Sequence, residues 1–176
     1  GSQGAVSLNK FVPQALAITS DSMQVEVWHQ TGANRREATL QRYKENNVQA
    51  KVDDFIDDID QAYAWADLIV CRSGAITLAE VAAVGLGSVL VPYPYAVDDH
   101  QTANALSYVE AGAAKLIPES AMSAEKLAEM LLILLGSPER LLDMACAAKK
   151  LVQGNASKRV ADECMNACGC QIVSEK

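Results

Sequence analysis

ADLIVCRSGAITLAEVAA, residues 66–83, passes from strand chemistry to helix chemistry within a few positions. Leu68-Ile69-Val70-Cys71 is a short apolar run suited to a buried parallel strand, and from Ala75 onward the residues are helix formers. Arg72-Ser73-Gly74 lies between them. A serine hydroxyl, a glycine that permits close backbone approach and the free N–H groups of a new helix form a concave donor site suited to phosphate. Inside the helix the sole charge is Glu80, where a carboxylate can accept hydrogen bonds from the two adjacent hydroxyls of a ribose. Two plainer readings stand beside these. Many strand-to-helix turns carry Ser-Gly with no ligand, and Glu80 also fits as the solvent-facing residue of an otherwise apolar helix.

A chain of 176 residues, half of them apolar, is long enough for one domain with a sizeable core. The net charge of -7 and a pI near 4.8 argue against nucleic acid or an anionic membrane surface as partner, because both require a basic footprint. A phosphate ligand must then be held by local N–H dipoles and a few placed side chains. No apolar run reaches membrane-spanning length and the N-terminus lacks a signal-peptide pattern, so the chain reads as cytoplasmic. Cys71 reads as a small core residue, and Cys146, Cys164, Cys168 and Cys170 as reduced thiols. The C-terminal CMNACGC matches no zinc spacing and the only histidines are His29 and His100, so no metal is expected. No G-x-G-x-x-G follows a strand with an acidic residue at the proper distance, which disfavours a dinucleotide oxidoreductase; no cofactor is expected.

Taken in order, Gly1-Ser2-Gln3-Gly4-Ala5 is a glycine-containing loop leading into a helix with Leu8, Phe11, Val12, Leu16 and Ala17 on one face. Such a loop normally follows a strand, and none precedes it, so the chain reads as a piece of a longer one, with Gly1-Ser2 also compatible with a cloning remnant. The pattern predicts strands at Gln24–Gln30 and Val48–Asp53 around a charged helix at Asn34–Asn46. Asp57 or Asp58 fits as a helix cap, and the backbone at Phe55-Ile56 is placed to meet a flat ligand edge. Gly85-Leu86-Gly87 ends the central helix, and Ser88–Val91 is a further buried strand. A proline-stiffened loop, Pro92–Asp99, then leads to a helix capped by Asp98 or Asp99. Gln101 and Asn104 lie one turn apart on that helix, where amides suit sugar hydroxyls and acetamido groups or simply solvate a helix start. Ala113–Ile117 is a last strand, and helices follow at Ser123–Leu135, Pro138–Val152 and Ala156–Ala167. Alternating strands and helices indicate an α/β fold, a doubly wound, Rossmann-like parallel sheet.

CRSGAITLAEVAAVG, VPYPYAVDDHQTANA and EAGAAKLI, preceded in order by GSQGA, WHQTG and DFIDD, resemble the C-terminal half of the MurG family. These bacterial transferases move N-acetylglucosamine from UDP-N-acetylglucosamine to a lipid-linked N-acetylmuramyl-pentapeptide in peptidoglycan synthesis. The resemblance implies the C-terminal domain of a GT-B glycosyltransferase, spanning residues 1–176, with the acceptor domain absent. It places Ser2 and Gln3 in a glycine-rich loop near the diphosphate and the backbone of Ile56 at uracil. Ser73, Gly74 and Ala75 would face the diphosphate with Arg72 beside them, and Glu80 would bind the ribose. Gln101 and Asn104 would contact N-acetylglucosamine, with Thr77 and His100 nearby. It implies an inverting transfer whose catalytic base lies in the other domain, and a peripheral protein on the cytoplasmic face of the inner membrane.

The same resemblance implies that the central strand leading into the first glycine loop is absent. Open strand edges would follow, to be filled by another chain or a swapped segment. Other readings of the same residues are a different UDP-sugar enzyme of this fold, a 2-epimerase or a glycolipid transferase, and a nucleotide-binding module without catalysis.

Overall fold

The structure, a computed structural model, describes residues 5–94 and 99–152. Strands and helices alternate from α1 (Val6–Thr19) through β1 (Trp28–Gln30), α2 (Arg36–Glu45), β2 (Lys51–Asp53), α3 (Ile59–Trp65), β3 (Leu68–Cys71) and α4 (Ala75–Val84). They continue through β4 (Gly87–Leu90), α5 (His100–Glu110) and β5 (Ala114–Leu116) to two closing helices, α6 (Ala124–Leu135) and α7 (Pro138–Lys150). All pairings are parallel, as crossover helices require. The strands form a 2-stranded sheet, β1-β2, and a 3-stranded sheet, β3-β4-β5.

The two sheets share one core. Val52 of β2, Val89 of β4 and Val91 beyond it meet Leu8 and Leu16 of α1, Tyr43 of α2, and Leu127, Leu131 and Leu134 of α6. Fully burying an aliphatic side chain of this size contributes roughly 1.5–3 kcal/mol. α1 ties to both sheets by polar contacts as well. Asn9 Nδ2 donates to the carbonyl of Thr31 just past β1, and Ser7 Oγ accepts from Arg72 at the end of β3. Every residue of β4 is buried, whereas every residue of β3 is only half-buried despite its apolar sequence. The reason is topological: among the described residues β3 pairs with β4 on one side, and β1 pairs with β2 alone.

Several termini follow local chemistry. Asp58 accepts the N–H of Gln61 and Ser123 that of Lys126, each capping its helix, and Pro138 occupies the first turn of α7. Gly85 ends α4 in the left-handed region, where a Cβ would come within 2.8 Å of Lys149.

Other boundaries move from the sequence expectation. The strand expected over 24–30 narrows to Trp28–Gln30 because its partner β2 extends only over Lys51–Asp53. Residues 48–50 leave the second strand because Asn47 has a positive φ and the N–H of Val48 turns back to Tyr43 O. Asn34, also at positive φ, cannot begin α2, which starts at Arg36. Asp99 occupies the α5 cap position in the left-handed region with no side-chain bond, so it does not cap that helix as expected. Asp98, Ser2, Gln3, the helix expected over 156–167 and the three C-terminal cysteines lie outside the described residues. Among the described residues no cluster of metal-ligating side chains occurs, and no helix is long and apolar enough to cross a membrane.

Candidate functional site

The chain leaves β3 at Cys71 and enters α4 at Ala75, so Arg72, Ser73 and Gly74 form a three-residue turn at the carboxyl edge of the sheet. Ligands of open α/β sheets bind at this edge. The first rung of the α4 ladder runs from the N–H of Leu78 to the carbonyl of Gly74, at 3.0 Å. The amides of Ala75, Ile76 and Thr77 thus stand ahead of the ladder, at the positive end of the helix dipole. Ala75 and Ile76 are exposed, Ile76 at 79%. Gly74 has an ordinary extended backbone, φ −65° and ψ 142°, and a Cβ built on it would meet nothing within 4 Å. Neither conformation nor internal packing requires glycine there. A side chain would instead project into open space.

The side chains flanking this turn are engaged inward. Ser73 is fully buried, and its hydroxyl donates to the carbonyl of Gln101 at 2.7 Å. Asn104 Nδ2 donates to the carbonyl of Ser73 at 3.3 Å, and Gln101 Oε1 accepts the N–H of Tyr93 at 3.0 Å. Gln101 and Asn104 therefore come together as expected from their spacing, but through bonds that lash α5 to the turn and to the loop after β4. Thr77 is half-buried on α4, and His100 is the exposed first residue of α5.

Arg72 is a clamp. Its guanidinium donates to the carbonyls of Val91 and Pro92 and to Ser7 Oγ, and it forms an ion pair with Glu119 at 2.8 Å. Burial opposes ionisation of Glu119, but bonds from Arg72 and Ser7 outweigh it and hold the carboxyl below its usual range. The guanidinium thus joins α1, β3, the loop after β4 and the segment after β5.

On the neighbouring side, Ile56 is half-buried and its N–H donates to Gln30 Oε1 at 3.0 Å. Glu80 is exposed on α4, and Tyr63 Oη donates to its Oε2 at 2.8 Å. Asp54 accepts the N–H groups of Arg35 and Arg36 and so terminates α2 from outside the helix. Behind this edge, His29 lies between Tyr43 Oη at Nδ1 and Asn9 Oδ1 at Nε2. Since Asn9 uses its amide nitrogen on Thr31, its Oδ1 accepts, which places the His29 proton on Nε2. Desolvation lowers the imidazole pKa from 6.5 to about 4. Of these partners, Gln30 and Asp54 sit in the quoted WHQTG and DFIDD stretches, which was the available signal. Nothing in sequence spacing marks Tyr63.

Comparison with known proteins gives the family and the fold. The family model described as glycosyltransferase family 28 C-terminal domain matches residues 1–163. A relative from Hahella chejuensis, 46% identical over 168 residues covering 96% of this chain and 47% of its own, is named UDP-N-acetylglucosamine-N-acetylmuramyl-(pentapeptide) pyrophosphoryl-undecaprenol N-acetylglucosamine transferase. A Chromohalobacter salexigens relative of the same name is 50% identical over 167 residues, covering 95% of this chain and 46% of its own. The crystal structure of Acinetobacter baumannii MurG superposes with a TM-score of 0.85 at 40% identity, covering 94% of this chain and 48% of that one. The glycosyltransferase VinC, solved with dTDP, shares the fold at a TM-score of 0.61 and 15% identity, covering 95% of this chain and 40% of that one. The chain spans about half the length of the curated relatives it matches. With its parallel α/β architecture, its turn at the sheet edge and these matches, the chain belongs to the glycosyltransferase family 28 C-terminal domain family.

Proposed function

We propose that this chain is the donor-binding half of an inverting glycosyltransferase that transfers N-acetylglucosamine from UDP-N-acetylglucosamine to a lipid-linked N-acetylmuramyl-pentapeptide. The observation that carries the reading is Gly74: an unstrained glycine with open space before it, at the foot of a helix whose leading amides precede its ladder. A diphosphate approaching there meets N–H dipoles, which stabilise the negative charge that develops on departing UDP. The hydroxyl of Ser73 then serves the shape of the turn, and the backbone of Ser73, Gly74 and Ala75 serves the phosphates. Glu80 takes the ribose diol and Ile56 the base. Gln101, fixed against the loop after β4, and Asn104, fixed against the turn, set the sugar-side wall with Thr77 and His100. Ser2 and Gln3 complete the diphosphate contacts in this reading.

The base that deprotonates the acceptor hydroxyl is assigned to the other half of the longer relatives, together with lipid binding and peripheral contact with the cytoplasmic face of the membrane. His29 is unsuited to that task, being held between Tyr43 and Asn9. We further propose that the open strand edges at β1 and β3 are filled by another chain or a swapped segment.

Calorimetric titration with UDP-N-acetylglucosamine, with UDP-galactose and NAD as controls, tests the donor reading. Selective uptake of the N-acetylglucosamine donor is expected. Equal binding of both UDP-sugars would favour a different enzyme of this fold, and no binding by a folded chain would overturn the reading.

A further inference from the structure

Glu80 is exposed and acidic on an apolar helix, and a free glutamate side chain of that kind samples many rotamers. Here it does not stand alone. Tyr63 projects from α3, its ring buried to 9% exposure against Val81 and Leu86, and its hydroxyl reaches Glu80 Oε2 at 2.8 Å. A rigid ring thus delivers a hydrogen bond to one oxygen of a carboxylate, a charge-assisted contact stronger than a neutral one. The carboxylate retains acceptor capacity on its other oxygen.

We propose that Tyr63 is a positioning residue for the donor nucleotide: its phenol fixes one oxygen of Glu80 and thereby aims the other at the vicinal diol of the ribose. The inference rests on the donor-binding reading of Glu80 given above. It gives α3 a role that its sequence does not announce. The segment carrying Ile56 leads through the Asp58 cap into the helix that bears Tyr63, so the part proposed to meet the base also orients the part proposed to meet the sugar. Burial of the phenol and its bond to Glu80 both raise the pKa of Tyr63, which keeps the donor proton in place across the range where a carboxylate is ionised.

The experiment compares UDP with 2′,3′-dideoxy-UDP, which lacks the diol, by calorimetry on the wild-type chain, Tyr63→Phe, Glu80→Ala and the double variant. Tyr63→Phe keeps the ring and its packing and removes only the hydroxyl. It is expected to weaken UDP about fivefold and leave the dideoxy nucleotide unchanged, because only the diol uses the oriented carboxylate. The double variant should bind UDP no more weakly than Glu80→Ala, since the phenol acts only through the carboxylate. If Glu80→Ala folds poorly, Glu80→Gln, which keeps the side-chain length, should take its place and weaken UDP while leaving the dideoxy nucleotide unchanged. Unchanged UDP affinity in Tyr63→Phe while Glu80→Ala weakens it would overturn the positioning role alone. An equal loss for both nucleotides in Tyr63→Phe would also overturn it, as a tie between helices and no more. A wild-type chain that does not distinguish the two nucleotides, or takes neither, would overturn the ribose reading and this inference with it.

Discussion

The side-chain carbonyl of Gln30 accepts the backbone N–H of Ile56 at 3.0 Å, which fills the amide proposed to read uracil with an uncharged carbonyl of the chain itself. A base edge presents the same acceptor chemistry, so nucleotide binding must displace Gln30. Gln30→Ala is expected to strengthen UDP binding about two- to threefold, the scale of one exposed neutral hydrogen bond exchanged with water. A titration in which the variant binds more weakly would mean that Gln30 supports the site instead of competing for it.

Gly74 offers a sharper separation of folding from binding. Its conformation is open to any residue and nothing lies within 4 Å of a built Cβ, so the poorer cap that alanine makes and the entropy it removes from the unfolded chain partly offset, and Gly74→Ala should change stability by no more than about 1 kcal/mol. A methyl group at that point should nonetheless reduce UDP-N-acetylglucosamine affinity at least ~10-fold by holding the diphosphate off the amides. Thermal denaturation and calorimetry on the same preparation check the two halves.

Arg72 is predicted to matter through structure. Removing the guanidinium leaves Glu119 partly buried without its cation, and Arg72→Ala should cost about 2 kcal/mol. Glu119→Gln should cost less, and the double variant less than the sum, a coupling visible in denaturant titrations. Lysine cannot reproduce the forked contacts to Val91, Pro92 and Ser7, so Arg72→Lys should behave nearly as badly as alanine.

His29 sets an acid limit. Its folded-state pKa is about 4 against 6.5 for the free side chain, so the unfolded chain binds the extra proton between those values. Stability from this site is full above pH 6.5, declines as pH falls through that window and levels off below about 4, a loss of roughly 3 kcal/mol at most. His29→Asn should lower stability at neutral pH and flatten its pH dependence between 6.5 and 4, as followed by chemical denaturation.

What could be read in the chain beforehand was what is local. The change from LIVC to AITLAEV fixes β3, its turn and α4, and Asp58, Ser123 and Pro138 mark helix starts because caps act over three residues. Gln101 and Asn104 share one face for the same reason, but the contacts of Asn104 Nδ2 and of the Gln101 carbonyl with Ser73 span about thirty residues and leave no periodic trace. Tyr63 and Glu80 pair across seventeen residues, and Arg72 reaches Ser7 across sixty-five. Strand ends were misplaced where β-forming composition outran the available partner, as at Gln24–Val27 ahead of β1.

The helix α1 binds the β1-β2 side through Asn9 and the β3-β4-β5 side through Ser7, while its apolar face lies on α6. Between two sheets that share no strand ladder among the described residues, it acts as a splice bar. Tension applied across the molecule would load this helix together with the apolar core it shares with α2 and α6, and the seam between the sheets is where the domain would first come apart into halves.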